Sequence, residues 1–132
     1  MSVKRRAEHE SADLQVELPA ESAAAHLDAL AKGINDVDVI VQGLLERVPS
    51  SKPWQRQLRA RLADADRHVE VLRLAISLGR DGPEILEAAG KLKQGLQIAN
   101  VQILGGRADG WTKNALLVAY RSACLVNALL AP

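Results

Sequence analysis

Seven apolar residues between Leu27 and Val48 are separated by alternating intervals of three and four residues. Such spacing is the a/d pattern of a heptad, which keeps one apolar stripe of an α-helix facing its neighbours in a left-handed bundle. The pattern predicts a long helix from about Pro19 to Val48, ended by Pro49. Gly33 and Gly43 lie inside it, and each is a candidate for a close approach by another helix. The apolar positions are Leu27, Leu30, Ile34, Val37, Val41, Leu44 and Val48.

Proline and glycine residues delimit two further helices in the middle of the chain. The second is expected to follow Pro53 and to end at Gly79, and the third is expected to lie between Pro83 and Gly105. The second helix carries Trp54, Leu58, Leu62, Ala65, Val69, Leu72 and Ile76 on one stripe. The third carries Ile85, Ala89, Leu92, Leu96, Ala99 and Ile103.

The fourth helix is expected to begin at a cap formed by Asp109 or Thr112 and to run through Leu130. Its inward positions are expected to be Trp111, Ala115, Val118, Leu125 and Leu129. Apolar side chains nevertheless cover almost its whole circumference, and a helix that is apolar all round needs cover all round. We expect a second copy of the chain to supply this cover, so that the protein is a homodimer. The expected self-association residues are Leu117, Tyr120, Cys124 and Leu125.

The core of such a fold must be aliphatic, because the chain has no Phe, one Tyr and two Trp. Leucine and alanine favour helices, and short connections make successive helices antiparallel neighbours. We therefore predict an all-α protein, a four-helix bundle with up-down-up-down topology, in residues 19–132. Residues 1–18 are interpreted as a flexible tail and an extended strap, in which Leu14, Val16 and Leu18 alternate with polar residues. The strap is the alternative cover for the fourth helix.

The sequence carries none of the residue sets that common catalytic and metal sites require. None of the three histidines follows a glutamate by three residues, which is the pattern of metal-binding bundles. Cys124 lies in an apolar helix, where a thiol is expected to be inert. We expect no metal and no cofactor. The longest apolar stretch contains Arg121, which disfavours a membrane span, and we expect a cytoplasmic protein.

Four basic residues without an intervening acid open the second helix: Lys52, Arg56, Arg59 and Arg61. Basic groups at a helix N-terminus oppose the helix dipole, so their placement needs an explanation. One explanation is ion pairing with the acidic first helix, with Glu46 near Arg56. The other is a patch that faces an anion or a partner. A net charge of +1 and a pI near 7.9 argue against a dedicated nucleic-acid binder.

The sequence from Arg61 to His68, RLADADRH, places an arginine and a histidine on one helix face. This pair resembles the Arg-to-His motif of the HEPN-family helical ribonucleases. The resemblance covers eight of the 132 residues and implies RNA cleavage at a dimer interface, with Arg61 and His68 as the catalytic pair. It does not assign the chain to that family.

Together these features favour a non-enzymatic helical module that adapts or regulates through protein–protein contacts and associates with itself. Its partner is expected to be another protein, and no contact with a membrane is expected. Two alternatives remain open. One is an RNA-cleaving enzyme that uses Arg61 and His68. The other is a bundle that binds a small apolar ligand in a cavity bordered by Trp54, Trp111 or Tyr120.

Overall fold

The computed structural model describes residues 20–80 and 82–131, with side chains from residue 25 onward. These residues form four α-helices and no strand: α1 (Ala20–Arg47), α2 (Pro53–Ser77), α3 (Pro83–Leu104) and α4 (Gly110–Leu130). Successive helices pack against each other, α4 packs against α1, and the diagonal pairs α1/α3 and α2/α4 make no close approach. The predicted antiparallel four-helix bundle is confirmed. The predicted tail and strap, residues 1–18, lie outside the described residues.

The heptad of α1 supplies its part of the core. Six of its seven apolar residues, from Leu30 to Val48, are buried, whereas Leu27 is 57% exposed. Contacts between Asp38 and Arg73 place the end of α2 level with the middle of α1 rather than with its start. Leu27 therefore lies on the correct stripe but beyond the ends of the neighbouring helices, where nothing described covers it.

The stripes of α2 and α3 are confirmed with small changes at the helix ends. All six predicted residues of α3 are buried, as are the central five of α2, whereas Trp54 and Ile76 are only partly buried. Gly79 follows α2 with φ +68°, a left-handed conformation that favours glycine. The amide of Gly79 donates to the carbonyl of Ile76, and that of Arg80 donates to the carbonyl of Ala75. These two hydrogen bonds form a Schellman motif that ends α2.

The predicted inward stripe of α4 is wrong at three of its five positions, whereas Ala115 and Leu129 are partly buried against the core. Trp111, Val118 and Leu125 are 44%, 41% and 50% exposed. The residues that α4 buries are Thr112, Leu116, Ala119, Ala123 and Val126. Because α4 is apolar on nearly every side, its periodicity does not fix which side faces inward. Small residues at the buried positions allow neighbouring helices to approach closely.

Helix α4 approaches α1 closely at Gly33. A Cβ atom at Gly33 would lie 2.9 Å from Cγ2 of Val126 and 4.0 Å from the carbonyl oxygen of Ser122. The expected close helix approach is therefore present at Gly33. No atom lies within 4 Å of such a Cβ at Gly43, so the same expectation is wrong there.

Asp109 is the residue that caps α4. One of its side-chain oxygens accepts a hydrogen bond from the backbone amide of Thr112 over 2.9 Å. Hydrogen bonds from Thr112 lower the pKa of Asp109 below its ordinary value of 3.8, with a smaller contribution from the charge of Arg47. The ionised carboxylate therefore stabilises the start of α4.

The two glycines of α1 should respond oppositely to an added methyl group. We expect Gly43→Ala to raise the free energy of unfolding by up to about 1 kcal/mol, because alanine is the better helix former. The free energy of unfolding of Gly33→Ala should be about 1–3 kcal/mol lower than that of Gly43→Ala, because the added methyl group overpacks the contact with the buried, stiff Val126. Urea denaturation measures both values. When Val126→Ala is added to both variants, the difference in free energy of unfolding between Gly33→Ala and Gly43→Ala should become smaller. An unchanged difference would contradict this explanation.

The Asp109 cap predicts a pH-dependent contribution to stability. Since folding lowers the pKa of this carboxyl, its contribution is complete above 3.8 and is lost as the pH falls through the lower pKa of the folded state. Asp109→Asn keeps a good capping side chain but cannot titrate. We expect wild type to lose stability relative to this variant as the pH falls from about 4 to about 2. Thermal unfolding followed by circular dichroism checks this, and a pH-independent difference between the two proteins would refute it.

Candidate functional site

Large apolar side chains form a row along the outer side of α4. Trp111, Val118 and Leu125 follow one another at intervals of seven residues, and each is at least 41% exposed. Residues seven apart lie on one side of a helix, two turns from each other. The described structure thus leaves a row of large apolar side chains open to solvent.

This row borders the neighbouring helix α1. The guanidinium carbon of Arg47 lies 3.9 Å from the centre of the Trp111 ring, and Gly33 contacts Val126 further along the same pair of helices. We call the surface formed by Arg47 of α1 and by Trp111, Val118 and Leu125 of α4 the α1/α4 face.

Few charges interrupt the α4 side of this face. The only charged residues of α4 are Lys113 and Arg121. A second exposed apolar row, formed by Val71, Leu74 and Leu78 at 45%, 61% and 57%, lies on α2. That helix carries eight Asp, Glu, Lys and Arg residues, so its apolar row is far more interrupted by charge.

The residues predicted for self-association surround the exposed row of α4. Leu125 belongs to it, whereas Leu117, Tyr120 and Cys124 are partly buried. The side chain of Cys124, one helical turn further on, raises the pKa of Tyr120 above its ordinary value of 10.0. Self-association through these four residues remains a prediction, and Trp111 and Val118 are additions that only the structure indicates.

The basic patch at the start of α2 includes two arginines that bind the backbone at the end of α1 and in the loop that follows it. One nitrogen of Arg59 donates to the carbonyls of Leu45 and Val48, at 2.5 and 2.6 Å. A nitrogen of Arg56 donates to the carbonyls of Ser50 and Ser51. The last carbonyls of a helix lack partners within it and carry the negative end of its dipole. Arg59 therefore stabilises the end of α1, whereas Arg56 stabilises the loop that follows it.

The expected ion pair between Glu46 and Arg56 is not formed among the described residues. The two arginines are still explained by contacts within the chain, because they donate to backbone carbonyls instead of to the expected carboxylate. Lys52 instead lines a hollow of about 270 Å³ together with Arg47 and Arg107. This end of the bundle is therefore cationic, and its role towards an anion or a partner remains a prediction.

Arg61 and His68 are separated by Asp64. The His68 Nε2 atom lies 3.6 Å from one carboxylate oxygen of Asp64, and Arg67 binds the other oxygen. Seven residues of helix separate Arg61 from His68 by about 10 Å along the axis. Arg61 and Asp64 line a shallow hollow of about 250 Å³, and His68 does not contribute to it. RNA cleavage by this pair remains a prediction.

An apolar hollow opens at the end of the bundle where α1 begins. It has a volume of about 470 Å³ and is lined mainly by apolar side chains from all four helices. We call it the end hollow; its apolar residues are Leu27, Leu30, Ile76, Ile85, Leu86 and Leu130, and its basic residues are His26 and Arg80. The predicted ligand cavity was placed beside Trp54, Trp111 or Tyr120, and none of these three lines the end hollow. Trp54 borders two smaller hollows at the opposite end.

Within residues 20–80 and 82–131, no group of three or more His, Cys, Asp or Glu side chains is arranged to hold a metal ion. In the same part of the chain, none of the helices combines the length and the apolar character that a membrane span requires.

Comparison with known proteins identifies no significant relative: no family model, no curated protein and no solved structure matches this chain.

Arg59 and Arg61 provide a matched test of the basic patch, because both are partly buried arginines on α2. We expect Arg59→Met to lower the free energy of unfolding by about 2 kcal/mol, because two carbonyls lose a charged donor. Arg61→Met should change it by less than about 0.5 kcal/mol. Urea denaturation of both variants checks this difference. Equal destabilisation would contradict the assignment of Arg59 as the residue that stabilises the end of α1.

Proposed function

We propose that the protein is a non-enzymatic, cytoplasmic helical interaction module that works as a homodimer, with two copies packed through the α1/α4 face. The observation that carries this proposal is the exposed row of Trp111, Val118 and Leu125, which runs along α4 at heptad intervals. An exposed apolar stripe of this kind marks a contact surface. The helix that sequence periodicity identifies as needing cover is therefore the helix that associates.

The composition of the α1/α4 face supports a protein–protein contact. The centres of protein interfaces are depleted of charge and enriched in aromatic residues and arginine. The α1/α4 face has Trp111 at one end, and Arg47 stacks on its ring, which holds the ring in place before any partner arrives. Trp and Arg are the residue types that most often dominate binding energy. We infer that Trp111 is the anchor of the interface.

A two-fold axis that passes beside Val118 gives the proposed dimer its register. A two-fold axis perpendicular to α4 makes the two copies of this helix antiparallel, and the interface then uses the same patch on both subunits. Val118 is the middle residue of the row, so it lies nearest the axis and faces its own copy. Trp111 then packs against the partner's Leu125, and Leu125 packs against the partner's Trp111.

The proposed dimer leaves the outer sides of α2 and α3 uncovered. We infer that these surfaces bind a second protein. Each dimer then carries two copies of each surface. The apolar row formed by Val71, Leu74 and Leu78 on α2 is available for such a partner. Paired presentation raises the effective affinity for a partner that carries two binding segments.

Val118 and Val71 form a matched pair for testing the interface. Both are exposed valines, at 41% and 45%, and they lie on diagonally opposite helices. We expect light scattering over a concentration series to give wild type twice the chain mass of 14.2 kDa. Val118→Glu should remain a monomer over this range, because it places two carboxylates beside the two-fold axis. Val71→Glu should dimerise as wild type does.

Circular dichroism should show the same helix content for both variants, since each substitution is on the surface. A wild-type protein that stays monomeric at every concentration would refute the dimer. Loss of the dimer in Val71→Glu with retention in Val118→Glu would move the interface to α2 and refute the α1/α4 face.

A further inference from the structure

The end hollow is distinct from the α1/α4 face, and the chain itself suggests what fills it. The first turns of α1 extend beyond the ends of α2 and α4, and the end hollow lies beside them. Leu27 and Leu86 on its rim are 57% and 42% exposed. The nineteen residues before Ala20 enter the bundle at this same end.

We propose that the segment Leu14–Leu18 folds back along α1 and occupies the end hollow of its own chain. The segment carries three apolar side chains, Leu14, Val16 and Leu18, at alternate positions. In an extended chain, alternate side chains point to the same side. All three apolar side chains can therefore face α1, with Leu14 and Val16 reaching the end hollow, while Gln15 and Glu17 remain towards solvent.

The length of the segment matches the position of the end hollow. From Ala20 to Leu30, the deepest α1 residue of its lining, α1 rises by about 15 Å. An extended chain that reverses at Pro19 covers about 16 Å back to Leu14. Pro19 has no backbone N–H, so the helix cannot extend through it towards the N-terminus. The chain can therefore reverse its direction at this residue. The segment thus spans the apolar lining from Leu27 to Leu30.

The charge of the N-terminal segment and its covalent connection to α1 favour its binding in the end hollow. Between Glu8 and Glu17 the chain has four acidic residues and no Lys or Arg, whereas the rim of the end hollow carries His26 and Arg80. Arg80 lies 3.4 Å from Glu84 but remains 60% exposed, so its guanidinium is available to a second carboxylate. A segment joined directly to α1 has an effective concentration on the order of millimolar at this site. A separate apolar ligand would have to compete with it.

A nitroxide label at residue 16 tests the contact in the full-length chain. We expect Val16→Cys, labelled in a Cys124→Ser background, to broaden the amide signals of Leu27, Leu86 and Leu130. Leu86→Glu should abolish this broadening, because it places a charge in the end hollow. Leu104→Glu is the matched control: it substitutes a 58% exposed leucine on the same helix α3 at the opposite end, and it should leave the broadening unchanged.

Mixed samples decide between the segment's own chain and a second copy. Labelled chains without ¹⁵N, mixed with unlabelled ¹⁵N chains, should give no broadening at these residues. Broadening in the mixed sample would show that another chain fills the end hollow, and it would overturn the proposal. An apolar molecule retained in native mass spectra of the purified protein, together with unbroadened Leu27 and Leu86, would overturn it as well.

The proposal is separable from the dimer. We expect the broadening to persist in Val118→Glu, because the end hollow shares no residue with the α1/α4 face. A second measurement is hydrogen exchange of the full-length chain with Leu14, Val16 and Leu18 all changed to serine. The Leu27 amide should then exchange about tenfold faster than in wild type, because the side chains that cover it are gone. Unchanged exchange would count against the docked segment.

Discussion

The contact between Gly33 and Val126 closes the bundle, because it joins the first helix of the sequence to the last. Only a glycine allows α4 to approach α1 this closely, since a Cβ atom there would meet Val126 at 2.9 Å. This approach sets the rotation of α4 about its own axis, with Ala119 and Ala123 turned inward. The same rotation turns the larger Trp111, Val118 and Leu125 outward, so the proposed interface is a consequence of how the core closes.

The ends of the bundle show how charge is arranged around a core that has almost none. At one end, Arg59 in the first turns of α2 donates hydrogen bonds to carbonyls at the end of α1. Its charge is unfavourable for the dipole of α2 but favourable for the dipole of α1. At the other end, α1 extends past its neighbours and leaves the end hollow open beside His26 and Arg80. One end is closed by hydrogen bonds, whereas the other end has a surface that another segment can cover.

The two proposed contacts use different parts of α1 and have different consequences. The α1/α4 face lies along the side of the bundle and concerns association between chains. The end hollow lies at one end and concerns the chain's own N-terminal segment. Because Leu27 and Leu86 are exposed only at that end, occupation of the end hollow can change without any change in the dimer. A partner that displaces the segment would thus gain an apolar site on an intact dimer.

The sequence by itself determined the helices, their order and most of their buried stripes. Intervals of three and four residues identify most core positions of α1, α2 and α3, because in each of these helices one apolar stripe repeats at helical spacing. The inward side of α4, the partner carbonyls of Arg59 and the end hollow were decided only by the tertiary structure. Periodicity cannot orient a helix that is apolar on every side, and the charge on a residue does not say which backbone groups lie beside it. The inward side of α4, the hydrogen-bond partners of Arg59 and the end hollow all depend on the distances between helices. These distances are set only when the four helices pack together.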